Sequence, residues 1–263
     1  MPSQYRRNPL INVVCQLRFP PILAINAKPP VAFQEALRLK YPLFSVSAEQ
    51  QVSVNLEHEP NGSLSVQRVD HTDTMNNYRF ASEDNVWVVN LTSTFLAVST
   101  TGYSSWSDFR GRVKEATETL RLVYAPAFFE RVGLRYINAV RRTMFELSSD
   151  TPWDKLFSPS ALGFLSSDVI RDKISGYSST TEVKHDNGIL ARITTALGQV
   201  TETEQTKQSS TEISFIVDTD SFFGKTNTDD AIPALDVLHQ MADHTFQSII
   251  TDELRVAMQP IQS

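Results

Sequence analysis

The sequence predicts an α+β fold made of two β-α-β-β-β-α halves, a duplicated plan in which antiparallel, curved sheet carries long helices packed on one face. Three observations predict it. Strand-length apolar runs alternate with period two, turn residues separate most of them closely enough for hairpins, and a long amphipathic stretch ends each of residues 1–125 and 126–263. The chain, 1–263, is expected to form a single body with those spans as pseudo-repeat halves.

The first strand lies in "YRRNPLINVVCQLRFPPI", residues 5 to 22. Val13, Cys15, Leu17 and Phe19 fall on one face, and Arg18 points away from it. Pro20 and Pro21 end the run, because proline cannot donate to a ladder. Pro29 and Pro30 then lead into a short amphipathic helix in "VAFQEALRLKYP" that stops before Pro42. A meander follows, in "QQVSVNLEHE", "GSLSVQRVDH", "NYRFAS" and "NVWVVNLTSTFLAVSTT", with "PNG" and "EDN" as turns.

Ser105 with Asp108 three residues on resembles a capping box. Trp106, Phe109, Val113, Ala116, Leu120 and Val123 recur behind it at helical spacing, so this helix lays one face on the sheet. The plan then restarts. "FFERVGLRYINAV" repeats the strand pattern, and its Leu134-Arg135-Tyr136 echoes Leu17-Arg18-Phe19 in the same face assignment. "TPWDKLF" is a short helical stretch, and "DVIRDKISGYSSTTEVKH", "GILARITTALGQV" and "TEISFIVDTDSFF" are candidate strands. A long helix from about Asp229 to Met258 closes the chain, with Leu235, Leu238, Ala242, Phe246 and Ile249 in its stripe. "TETEQTKQSSTE", residues 201 to 212, is polar and reads as a long loop between two strands.

Composition bounds the function. A hydrophobic content of 41% suits a body with a substantial core, and the longest apolar runs, such as Val86–Val89, fall far short of the ~20 residues of a membrane helix. Without an apolar leader run behind Arg6 and Arg7, the expected location is cytoplasmic. A net charge of −6 argues against a nucleic-acid partner. Cys15 is the single cysteine, which excludes an intrachain disulfide and a cysteine-built zinc site.

Chemistry-bearing motifs are sparse. The histidines, at 58, 71, 185, 239 and 244, show neither H-x3-H nor H-E-x-x-H spacing, and no metal is expected at Asp70, His71 and Asp73, which read as a turn. His239 and Asp243, one helical turn apart, read as a solvated helix face, and Asp218 and Asp220 as strand-end acids. No glycine-rich phosphate loop and no G-x-S-x-G occurs, so no catalytic residue and no cofactor is predicted. The candidate binding residues are Arg18, Arg131, Arg135 and Tyr136. Arg18 and Arg135, at equivalent places in the two halves, either pair with carboxylates on neighbouring strands or face a shared cleft; pairing is the commoner arrangement.

The opening N-P-L-x-x-V-x-x-Q-L-R-F block, together with "VGLRYIN" and "FQSIITDELRVAMQP", resembles a sporadically distributed bacterial family of about this length and of unknown function. Such a distribution is typical of genes that travel with phage-defence loci, so the resemblance implies a role in anti-phage defence. The leading expectation, which rests on the broad surfaces of the body, the acidic chain and the absence of a reactive cluster, is a non-enzymatic binding or sensing module. It would act with a partner protein from a neighbouring gene, a membrane-associated target or a small apolar ligand, and self-association into a homo-oligomer is left open. The alternative is a helix-grip-like small-molecule or lipid-binding protein or a pocketed enzyme, its last helix closing over the sheet. An enclosed pocket with converging polar groups would favour it.

Overall fold

The computed structural model describes residues 5–58, 64–199 and 212–261, with side chains placed outside 49–58 and 64–74. The first half runs β1 (Leu10–Arg18), α1 (Leu23–Ala27), α2 (Val31–Leu37), β2 (Leu43–His58), β3 (Leu64–Ala81), β4 (Trp87–Leu91), β5 (Phe95–Thr100) and α3 (Trp106–Tyr124). The second runs β6 (Arg131–Val140), α4 (Pro159–Leu162), β7 (Ser178–Lys184), β8 (Leu190–Gln199), β9 (Ile213–Phe223), α5 (Ala231–Ile249) and α6 (Asp252–Ala257), with short 3-10 turns between β6 and β7. The nine strands form one open antiparallel sheet in the order β2-β3-β4-β5-β1-β6-β9-β8-β7. The α+β class and the curved antiparallel sheet therefore hold.

Local chemistry explains the boundaries. The Ser105 hydroxyl accepts from the Asp108 amide at 3.2 Å and starts α3, and Ala125, left-handed at φ 46° ahead of Pro126, ends it. Ser82 to Asn85 turn β3 into β4, with the Asp84 carboxylate accepting from the Val86 amide at 3.1 Å and Asn85 at φ 57°. The "PNG" turn and residues 201–211 of the polar stretch lie outside the described residues.

Four readings need correction. The closing helix is two helices, because Ile250 pairs in a bridge with Phe157 while the Thr251 hydroxyl accepts from the Leu254 amide and caps α6. A β-branched pair followed by a capping threonine and two acids is a stop and a start. "GSLSVQRVDH" and "NYRFAS" are one strand, so Asp70 to Asp73 continue β3 and make no turn. "NVWVVNLTSTFLAVSTT" divides at Thr92–Thr94 into β4 and β5. In "DVIRDKISGYSSTTEVKH" only Ser178–Lys184 is strand.

The helices α3 and α5 lie on one face of the sheet, over two apolar clusters. The larger joins β1, β4 and β6 through Val13, Leu17, Val89 and Leu134 to Phe33, Phe109, Leu120 and Leu235 of the helices. The smaller gathers Phe157, Phe215, Val217, Leu254 and Met258 beneath the α5–α6 junction. Each such side chain contributes roughly 1.5–3 kcal/mol by leaving water. No helix among the described residues is long and apolar enough to cross a membrane.

Candidate functional site

Strand alternation divides the four predicted binding residues between the two faces. Tyr136 points with Val132 and Leu134 toward the helices and is buried. Arg18, Arg131 and Arg135 share the opposite face, with Arg18 directly across from Arg131 in the β1–β6 register.

On that face two of the arginines are neutralised. The Arg131 guanidinium donates to both oxygens of Asp220, at 2.6 and 2.8 Å, and reaches Gln16 Oε1 at 3.3 Å. It can cross the strands because residue 133 is glycine: a Cβ there would sit 2.2 Å from Arg131 Nη1. Arg131 also covers the Phe222 ring at 4.4 Å. Arg135 makes the same two-pronged contact with Asp218, its Nε donating at 2.8 Å. Asp218 and Asp220 are thus mid-strand partners of arginines, which corrects their strand-end reading. The carboxylate pairing expected of Arg135 is present, whereas Arg18 is exposed and makes no ion pair among the described residues.

The helix-side face holds a cavity of about 920 Å³. Its walls come from the start of β1, the N-terminus of α3, the middle of β6 and β9, the last half of α5, and the chain's two end segments. The end segments meet through the Arg6 amide bonding Gln259 O and the Arg7 amide bonding Met258 O, both at 3.0 Å. The Tyr5 hydroxyl donates to Gln247 Oε1 at 2.8 Å, and the buried Gln247 Nε2 has no partner among the described residues.

One wall is an aromatic relay. The Tyr136 hydroxyl lies 2.7 Å from His239 Nδ1, and the His239 ring stacks on Trp106 at 4.2 Å between centroids. Trp106 Nε1 donates to Asp236, which also receives two hydrogen bonds from Arg110 at 2.8 and 2.9 Å. Tyr103 meets Tyr136 edge-on at 6.1 Å. Burial pushes the His239 pKa down to about 4 against the opposing pull of Asp236, so the imidazole is uncharged at neutral pH. Burial likewise raises Tyr103 to about 12 and holds Tyr136 well above the ordinary phenol. For Asp236, burial raises the pKa, but the hydrogen bonds from Arg110 and Trp106 outweigh it and keep the carboxylate ionised.

His239 therefore corrects the solvated-face reading: it is 8% exposed and faces the sheet. Its spacing carried the signal, since 239 falls between Leu235 and Ala242 on the apolar stripe of α5. Asn138 and Thr219, at the cavity floor, escaped sequence reasoning because an isolated polar residue in a strand has no distinguishing pattern. Asn138 is two residues along β6 from Tyr136, and Thr219 is the direct β9 partner of Tyr136. Among the described residues no group of three His, Cys, Asp or Glu side chains could hold a metal ion. No family model matches the chain, and no curated protein matches it.

Proposed function

We propose that this protein is a non-enzymatic binding or sensing module whose ligand is a small molecule held in the cavity between α5 and the sheet. The observation that carries the reading is the cavity itself, an aromatic-walled space of about 920 Å³ into which buried polar groups converge. Its histidine supports binding over turnover. A general base works best with a pKa near the operating pH, and an imidazole held at about 4 and engaged by Tyr136 is poorly matched to that task. A screen by thermal melting tests the proposal. At a hundredfold excess over Kd a ligand adds ~2.7 kcal/mol, several degrees in a chain of this size. A broad library of small polar and aromatic compounds that leaves the midpoint unmoved counts against it.

A partner protein is the second reading, favoured by exposed apolar side chains on α1, α2, the turn after α2, and the edge strand β2. Leu23, Val31, Leu39, Phe44 and Val46 are all at least 48% exposed. In this scheme the cavity senses and that surface reports, in the phage-defence setting that the family resemblance implies. Val46→Glu would abolish copurification of a partner while leaving the melting midpoint within about 1 °C; unchanged copurification counts against this surface.

We further propose that the module grew by duplication of one half. Gln16 lies opposite Gly133 in the β1–β6 register, which places Leu17-Arg18-Phe19 and Leu134-Arg135-Tyr136 symmetrically about that pair. Each central strand is followed by helical turns, a meander that returns beside it, and a helix of 19 residues.

A further inference from the structure

We propose that the cavity takes an uncharged ring bearing a cyclic amide edge, the kind a pyrimidine or purine base presents, and that Asn138 and Thr219 read that edge. The inference rests on the cavity being a ligand site and names the class of ligand.

Both side chains are nearly inaccessible, at 6% and 2%, and neither makes a hydrogen bond to another described residue. The Asn138 amide and the Thr219 hydroxyl open onto the cavity instead of being sealed from it, so an amide and a hydroxyl placed together at its floor point to a ligand that completes them. Strand alternation sets Asn138 on the helix side with Leu134 and Tyr136, and the register makes Asn138 and Thr219 diagonal neighbours across β6 and β9. Diagonal neighbours stand roughly 7 Å apart, which is suited to two polar atoms on one ring. Asparagine offers a donor and an acceptor and threonine offers either, the pairing a lactam N–H and C=O require.

The surroundings select an uncharged, flat molecule. Tyr136, Tyr103 and His239 carry no charge at neutral pH, and the Asp243 carboxylate acts on both phenols, so an anion at the floor would lose its hydration with no positive group beside it. The charged side chains of the lining, Asp243 and Arg255, are half-exposed, and Arg255 is paired with Asp252. Aromatic walls favour a ring over a branched aliphatic chain.

Calorimetric titration of the full chain with uracil, uridine and hypoxanthine tests the inference, with two controls that lack the amide edge: 1,3-dimethyluracil, whose ring nitrogens carry no hydrogen, and indole, whose N–H has no neighbouring carbonyl. The expected result is binding of at least one amide-bearing ring, weakened about tenfold or more in 1,3-dimethyluracil and about tenfold in Asn138→Leu and in Thr219→Val. Tighter binding of uridine than uracil would place a ribose in the cavity as well. Both variants are near-isosteric, and the comparison of uracil with 1,3-dimethyluracil on the unaltered protein stands even if they fail to fold. Equal binding of indole or 1,3-dimethyluracil, or unchanged binding in folded variants, overturns the inference and leaves the cavity reading intact. So does a hit in the broad thermal screen with no amide-bearing ring binding. A thermal screen with no hit at all overturns both.

Discussion

The Tyr136 hydroxyl stands 2.7 Å from Nδ1 of His239, joining the central strand β6 to helix α5 across the wall of the cavity. The pair is dry enough to hold the imidazole neutral. In the folded protein His239 takes a proton only near pH 4, whereas in the unfolded chain it takes one near 6.5. Between those values the unfolded state binds more protons, so stability falls as the pH drops from 6.5 toward 4 and levels off below. A fall from 6.5 to about 4 corresponds to about 3 kcal/mol. Urea unfolding at pH 7 and pH 4.5 should therefore show a smaller loss for His239→Gln than for the unaltered protein. Equal losses would place the imidazole in water.

On the opposite face, Asp220 is the partner of Arg131, whose side chain is 19% exposed. Asp220→Ala leaves that guanidinium half-buried without its anion and should cost about 1–3 kcal/mol. Gly133→Ala should cost less than Asp220→Ala, because the new methyl group meets only the flexible end of the Arg131 side chain, which can shift aside. Arg135→Ala should cost less than about 1 kcal/mol, since that pair is solvent-screened, and Arg18→Ala less than about 0.5 kcal/mol. Chemical denaturation of the four variants gives the ranking. An Arg18→Ala cost as large as that of Asp220→Ala would contradict it.

Phe157 and Phe215 pack at 4.2 Å between centroids, and both are fully buried in the smaller cluster. Truncating either to alanine should cost about 3–5 kcal/mol, and the double variant should cost less than the sum, because the first truncation already opens the shared space. Additive costs in urea unfolding would show that the rings act independently.

Cys15 is buried, and the loss of hydration raises its thiol to about 12, against a lowering pull from Arg131. Iodoacetamide should leave the native protein unlabelled at pH 8 and label one site once denaturant is added. Rapid labelling without denaturant would place β1 at the surface.

Much of this fold was legible as period. The alternation of Val13, Cys15 and Leu17 gave the core face of β1, and the stripe from Trp106 to Leu120 gave the buried face of α3. The Ser105 cap was readable because it is a local chemical pattern. The break at Ile250 was harder, because a bridge to Phe157 some 90 residues earlier decides it. The site was hardest of all. Tyr136 stands out in the sequence as an echo of Phe19, yet its surroundings are His239 and Thr219, neighbours brought by α5 and β9. The arginines stood out in the sequence, but two of them are tied to Asp218 and Asp220 by strand register, which no short window contains.

Native mass spectrometry of the protein purified from its own cells, beside Asn138→Leu prepared in the same way, tests the central claim most directly. The account predicts that the unaltered chain carries an additional small-molecule mass above its own 29.6 kDa, and that the variant has lost it. An unaltered chain at its sequence mass alone, or an adduct equally retained by the variant, would contradict a ligand held at the floor of this cavity.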